Sequence, residues 1–106
     1  MRSTQRVPCH TWLRVANGSS EHRFRTLDIS HGGLYFELDR PIEVGTVVDL
    51  TFTLPDSGDD PIQAVGRIAW SNQNGVGVKF VRIEPQDLRT IVEYVNRVAR
   101  VLYSPL

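Results

Sequence analysis

The segment Leu27-Asp28-Ile29-Ser30-His31-Gly32-Gly33-Leu34 reads as the end of one strand, a glycine turn and the start of the next strand. Side chains alternate between the two faces of a strand, so Asp28 and Ser30 share one face and the aliphatic residues share the other. The two glycines favour a turn with positive φ and leave room for a ligand near the main chain. The segment is therefore either a hairpin with a solvated polar face or part of a binding site.

The sequence on either side of this segment predicts a mainly β protein. Strands are expected at residues 9–16, 22–30, 34–38, 47–54, 62–71 and 76–80, with polar or glycine-containing turns between them. From Pro85 to Leu102 the apolar residues recur at three- and four-residue steps, which predicts an amphipathic helix. The predicted fold is a six-stranded antiparallel β-barrel at residues 9–81 with a C-terminal α-helix packed against it.

Two of the predicted strands carry irregular features. In strand 22–30, Arg23 and Arg25 have the same parity as the aliphatic Leu27 and Ile29. A β-bulge, or a strand that leaves the core, would explain this change of pattern. In strand 62–71, Trp70 has the parity of the apolar inner positions, so it is expected in the core or at the barrel rim.

The first eight residues show no apolar periodicity and predict a flexible arm. This arm carries Arg2 and Arg6, four residues apart, so the chain reads RxxxR and then DxSxxG. The two motifs, in this order and at this separation, resemble the signature of the PilZ domain family, which binds the bacterial second messenger cyclic di-GMP. Residues 64–70 and 75–80 also resemble the last two strands of that family, so the resemblance covers nearly the whole chain as one domain.

The resemblance implies a six-stranded barrel with a C-terminal helix and a set of ligand-binding residues. Carried over residue by residue, the cyclic di-GMP contacts are Arg2, Arg6, Asp28, Ser30 and Gly33.

The chemistry of these side chains suits a guanine dinucleotide. The Hoogsteen edge of guanine has two acceptors, N7 and O6, which match the fork of an arginine. The same guanidinium group can pair with a phosphate or stack on a base. The opposite edge carries N1–H and N2–H₂ donors, for which the carboxylate of Asp28 is an acceptor. Trp70 could stack on a base and Arg67 could reach a phosphate, so both are further candidates for ligand contact.

Composition excludes several classes of function. The chain has 106 residues with 12 basic and 12 acidic side chains, and this zero net charge argues against a general DNA or RNA binder. Residues 1–30 hold five arginines against two acidic residues, whereas residues 31–66 hold one arginine against seven acidic residues. Residues 67–106 hold six basic residues against three acidic residues. A small anion is therefore expected at the first or the last segment rather than the middle one. No apolar run has the length of a membrane span, and the single cysteine suits a cytoplasmic location.

No arrangement of catalytic or metal-binding residues is evident in the sequence. Cys9-His10 lacks the spaced partners of a zinc site and of a nucleophilic enzyme, so neither a metal nor an enzymatic activity is predicted. The favoured reading is a non-catalytic receptor in which ligand binding orders the N-terminal arm and signals to a protein partner or a fused domain. One alternative is a PilZ-like adaptor with weak or no nucleotide binding. The other is an oligonucleotide-binding barrel, against which the zero net charge argues.

Overall fold

A computed structural model describes residues 5–38 and 41–103 of the chain. The elements in chain order are β1 (Val7–Pro8), β2 (Trp12–Asn17), β3 (Ser20–Ser30), β4 (Gly33–Glu37), β5 (Val47–Phe52), β6 (Ile62–Ser71), β7 (Gly75–Ile83) and α1 (Pro85–Tyr103).

Six antiparallel strands close the barrel, as the sequence predicts. The strand order is β1-β3-β2-β5-β6-β7-β4, and an additional pairing between β3 and β4 joins the two ends of the sheet. Strand β3 makes this closure possible because it is 11 residues long. The first half of β3 pairs with β2. The second half pairs with β4 along one edge and with the short β1 along the opposite edge.

Strand β3 contains the predicted irregularity. The register of β3 against β4 shifts between Thr26 and Asp28. This bulge changes which face the following residues occupy, so Arg23 and Arg25 are exposed while Ile29 is buried. The bulge hypothesis is therefore confirmed, and the bulge is what turns Asp28 to the outer face beside β4.

The start of the barrel differs from the sequence-based expectation. The predicted strand 9–16 corresponds to β2, which begins at Trp12, and the separate short strand β1 precedes it because Val7 is buried and lies opposite Ile29. Val7 and Pro8 are therefore part of the sheet and not of the predicted flexible arm at residues 1–8. Residues 1–4 of that arm lie outside the described residues.

For Trp70 the sequence left the core and the barrel rim open. The structure excludes the core, because a second register shift between Ile68 and Trp70 moves the exposed side chain to the outer face.

The core fills the barrel and extends beneath the helix. Helix α1 begins at Pro85, a residue suited to the first helical turn, and buries four side chains. These are Ile91, Tyr94, Val95 and Ala99. The Tyr94 hydroxyl donates a hydrogen bond of 3.1 Å to the carbonyl oxygen of Pro8, so the helix is tied to β1. No helix in the described part of the chain is long and apolar enough to cross a membrane.

A buried threonine joins the entry of the chain to β3. The Thr26 hydroxyl donates to the carbonyl oxygen of Cys9 at 2.6 Å and accepts from the amide of Thr11 at 2.9 Å. These bonds satisfy main-chain groups of the segment between β1 and β2. Cys9 is buried beside them, and its desolvation raises the pKa of the thiol to about 11, so the thiol stays protonated at neutral pH.

Replacing Thr26 with valine is expected to destabilise the protein by about 2 kcal/mol, because the change keeps the shape and leaves buried main-chain groups without their partner. Urea unfolding at neutral pH measures the loss. Thr53→Val is the matched control, since Thr53 is a partly exposed threonine for which no side-chain hydrogen bond is found. Equal stability of the two variants would contradict this role of Thr26.

Candidate functional site

The pairing of β1 with β3 determines where Arg6 lies. Val7 is opposite Ile29 and Pro8 is opposite Asp28, so the residue before Val7 arrives beside Ser30. Because Val7 and Ile29 both point into the core, their neighbours point outward. Arg6 therefore shares the outer face with Asp28 and Ser30, although the sequence separates them by more than twenty residues.

The Arg6 guanidinium is held by both polar side chains. Its Nε and Nη2 atoms each lie 2.7 Å from Asp28 Oδ1, and Nη1 lies 3.5 Å from Ser30 Oγ. The arginine and aspartate side chains keep 44% and 32% of their exposure, so water screens the pair. Such partly exposed pairs stabilise a protein by roughly 0.2–1 kcal/mol. The contact therefore orients Arg6 while leaving part of its guanidinium group open to solvent.

Ser30 also closes the turn between β3 and β4. Its buried hydroxyl accepts from the amide of Gly32 at 3.3 Å and donates to the carbonyl oxygen of Gly33 at 3.4 Å. The turn does not use the positive φ that the sequence analysis expected. Positive φ occurs at other described glycines, Gly18, Gly45 and Gly58. The prediction for the turn is therefore wrong, because the Ser30 hydrogen bonds stabilise a turn with ordinary backbone angles.

Gly33 is required by packing between strands. A Cβ atom placed on Gly33 would lie 2.0 Å from the carbonyl oxygen of Val78 on β7. The sequence analysis expected the missing side chain of Gly33 to leave room for a ligand. Its contacts indicate instead that the missing side chain lets β4 approach β7. By contrast, a Cβ on Gly32 would meet nothing within 4 Å.

A pocket of about 230 Å³ opens beside Arg6. Its lining comes from the β3–β4 turn and from β6 and β7 and comprises Arg6, Ser30, Gly32, Gly33, Leu34, Ala69, Trp70, Gly77, Val78 and Lys79. The pocket thus unites four of the residues proposed from the sequence, namely Arg6, Ser30, Gly33 and Trp70. Asp28 does not line it and reaches it only through Arg6.

An aromatic ledge borders this pocket and consists of Trp70, which lines it, and of Tyr35, which is stacked on Trp70. The rings of Tyr35 and Trp70 are stacked with centroids 5.1 Å apart and planes 22° apart. A Cβ on Gly77 would lie 2.2 Å from the indole nitrogen, and a Cβ on Gly75 would lie 2.4 Å from the Tyr35 hydroxyl. The alternating glycines of β7 therefore provide the flat surface on which both rings rest. Trp70 remains 47% exposed, so the ledge is open to a planar ligand.

Lys79, and not the predicted Arg67, is the cation beside the pocket on strands β6 and β7. Arg67 is exposed on β6 and does not line the pocket, whereas its neighbour across the strands, Lys79, does. Lys79 also lies opposite Gly33. Lys79 and Tyr35 are not evident as site residues in the sequence, because only the strand pairing brings them to the site. The one available signal was the outward parity of Lys79 in the alternating strand. Arg2 lies outside the described residues.

Comparisons with known proteins identify the family of this chain. The model of the PilZ domain family matches residues 1–97. The chain belongs to the PilZ domain family. A search of curated protein sequences finds no match to the chain.

Solved structures share the fold of this PilZ domain at low sequence identity. The PilZ domain of YcgR from Escherichia coli, determined with c-di-GMP, has a TM-score of 0.71 at 15% identity, with 99% of this chain and 98% of that chain covered. The PilZ domain of CeSA from a cellulose-synthesizing bacterium has a TM-score of 0.68 at 21% identity, with 88% and 96% covered.

The Bacillus subtilis inhibitor of motility MotI/DgrA has a TM-score of 0.82 at 17% identity. The match covers 99% of this chain and 54% of that one, so the PilZ domain described here spans about half the length of that protein.

Adjacent glycines in the turn of this PilZ domain should respond differently to alanine. Gly33→Ala forces a Cβ atom against main chain that cannot move aside, and we expect a loss of about 3 kcal/mol in the free energy of unfolding. Gly32→Ala is the control and should change it by less than about 0.5 kcal/mol. Chemical denaturation measures both, and similar stabilities for the two variants would contradict the proposed packing role of Gly33.

Proposed function

We propose that this PilZ domain is a non-catalytic receptor for cyclic di-GMP and that the pocket beside Arg6 binds the nucleotide. The observation that carries the proposal is the Arg6 guanidinium, which is oriented by Asp28 and Ser30 at the edge of a pocket with an aromatic ledge. The family model and the c-di-GMP bound to the YcgR domain support the same ligand.

Arg6 is the principal ligand group in this proposal. A guanidinium has five N–H donors, and the contacts with Asp28 and Ser30 use three of them. The remaining donors and the open plane of the group are available to the Hoogsteen edge of a guanine or to a phosphate oxygen. Because Arg6 is already oriented, less side-chain entropy is lost when the nucleotide binds.

Asp28 can act in two ways. It can accept from the N1–H and N2–H₂ groups of guanine, or it can serve only to hold Arg6 in the binding orientation. The contacts favour the second role, because Asp28 is engaged with Arg6 and does not line the pocket. The two roles have different consequences when both residues are replaced.

The remaining pocket residues would complete the site. Trp70 offers an exposed ring for base stacking, which is worth about 1–3 kcal/mol per base in single-stranded nucleic-acid complexes. Lys79 is the better placed cation for a phosphate, and Arg67 would contribute only a longer-range attraction. Arg2 remains a ligand residue on the basis of the motif alone.

The output of the receptor would follow from the N-terminal segment. Ligand binding would engage the N–H donors of Arg6 that Asp28 and Ser30 leave free, and it would fix Arg6 and the residues before it across the pocket. This change would be passed to a protein partner or a fused domain. A cytoplasmic location and the absence of catalysis belong to the same proposal. If nucleotide binding fails in the tests below, the adaptor alternative takes its place.

A double-mutant cycle on Arg6 and Asp28 tests the site. Arg6→Ala should weaken cyclic di-GMP binding by about tenfold to a hundredfold, because a charge-assisted hydrogen bond contributes roughly 1.5–3 kcal/mol. If Asp28 acts by orienting Arg6, Asp28→Ala should weaken binding less, and the double variant should bind no worse than Arg6→Ala. Calorimetric titration gives the affinities, and melting temperatures report folding.

The matched controls for this cycle are Arg14→Ala and Glu21→Ala. These residues form the other ion pair found in the described residues, at 3.1 Å, and they do not line the pocket. Both variants should bind cyclic di-GMP like the parent. Losses that simply add in the double variant would assign Asp28 a direct contact with the base. Unchanged binding by a folded Arg6→Ala variant would contradict the receptor proposal.

The site should prefer guanine to adenine. Adenine presents an N6–H₂ donor where guanine has the O6 acceptor, so the Arg6 fork loses a partner and meets a donor. A matched base contact of this kind contributes about 1–3 kcal/mol of discrimination. In competition with labelled cyclic di-GMP, cyclic di-AMP should therefore bind about fivefold to a hundredfold more weakly. Equal competition by the two nucleotides would overturn this prediction.

A further inference from the structure

An exposed tryptophan on β2 lies among three arginines, away from the nucleotide pocket. Trp12 is 51% exposed, and the guanidinium carbons of Arg23 and Arg25 lie 4.7 and 5.2 Å from the centroid of its ring. Trp12 is opposite Arg25 and Arg14 is opposite Arg23, so these four side chains form a block on the outer face of β2 and β3. We call this block the Trp12 patch.

The two arginines over the ring are held ready for an anionic partner. Arg14 is paired with Glu21. Within residues 5–38 and 41–103, neither Arg23 nor Arg25 forms an ion pair. Two guanidinium groups repel each other, and the electron-rich face of the indole stabilises both in one place. Their forked N–H donors are therefore oriented and available for carboxylates.

A shallow depression of about 320 Å³ continues from the patch towards β5. Its lining is Trp12, Arg14, Arg23, Thr51, Phe52, Thr53 and Pro61. It shares no residue with the lining of the nucleotide pocket. The barrel thus presents two separate surfaces, and tryptophan with arginine is the combination most typical of energetically important contacts between proteins.

We propose that the Trp12 patch is a docking surface for an extended acidic segment of a partner protein. Residues i and i+2 of a strand lie about 6.5 Å apart on one face, and this is the spacing of Arg23 and Arg25. An extended peptide with acidic residues at alternate positions repeats the same spacing, so one carboxylate meets each guanidinium. The side chain between two charged positions points the other way and leaves the indole edge free for contact.

Charge favours a short acidic peptide over a nucleic acid. The patch has three arginines and an adjacent glutamate, which gives a net charge of +2. A polynucleotide gains affinity by neutralising many phosphates. Beside the patch it would also meet β5, the strand paired with β2, which carries Asp49 and no basic residue. A short segment needs only the local charge.

Fluorescence anisotropy tests the proposal with a labelled peptide of alternating glutamate and threonine, and with the same peptide carrying glutamine in place of glutamate. The parent protein should bind the glutamate peptide, and high salt should weaken the binding. The double variant Arg23→Glu, Arg25→Glu should lose at least about tenfold in affinity, since two charge-assisted contacts become repulsive. Arg82→Glu, Arg89→Glu is the matched control, with the same charge change at two exposed sites elsewhere.

Trp12→Ala separates a built surface from general charge attraction. The change leaves every charge in place. Peptide binding should still weaken, because the ring positions the arginines, and unchanged binding would show general charge attraction and overturn the proposal. All variants should bind cyclic di-GMP like the parent, which keeps this test independent of the nucleotide site.

Five further outcomes would overturn the proposal, and four of them concern binding. These are no binding of the glutamate peptide, equal binding of the glutamine peptide, equal losses in the control variant, and tighter patch-dependent binding of a single-stranded oligonucleotide. A fifth is a dimer in analytical ultracentrifugation that disappears with Arg23→Glu, Arg25→Glu, because it would make a second copy of the chain the occupant.

Discussion

The pairing of Val7 with Ile29 is the constraint on which the candidate site depends. Burial of both side chains fixes the register of the two-residue strand β1 on the long strand β3. Hydrogen bonds from Tyr94 to Pro8 and from Thr26 to Cys9 secure the same segment from the helix and from the core. A shift of one residue would turn Arg6 into the barrel and away from Asp28. Arg6, Asp28 and Ser30 are thus positioned by the hydrophobic packing of their chain neighbours Val7 and Ile29.

Glycine shapes the site through contacts between elements rather than through unusual backbone angles. At Gly33 the missing side chain lets two strands approach, and at Gly75 and Gly77 it lets two aromatic rings lie on the main chain. The result is a pocket with a flat aromatic side and a cationic edge. A planar base with attached phosphates is the kind of ligand that such a surface complements.

The strengths of the polar contacts differ in a way that suits a receptor. Thr26 is buried, and its hydrogen bonds hold the fold because no water can replace them. Arg6 and Asp28 are partly exposed, so their contact is weak. The hydrogen bonds of Thr26 therefore stabilise the fold beneath the site, whereas the Arg6–Asp28 contact lies at the surface of the site. The Trp12 patch repeats the second arrangement, with an indole in place of a carboxylate to orient the cations.

The sequence by itself determined the class of fold and most of the motif residues. Alternation with a period of two, and the change of period at Pro85, depend on local geometry and on one buried face, so they are legible in the chain. The outward position of Trp70, the inclusion of Lys79 and Tyr35, and the packing role of Gly33 were decided only by the tertiary structure. Each depends on a bulge or on the register between distant strands, and neither is encoded by the residues of one strand alone.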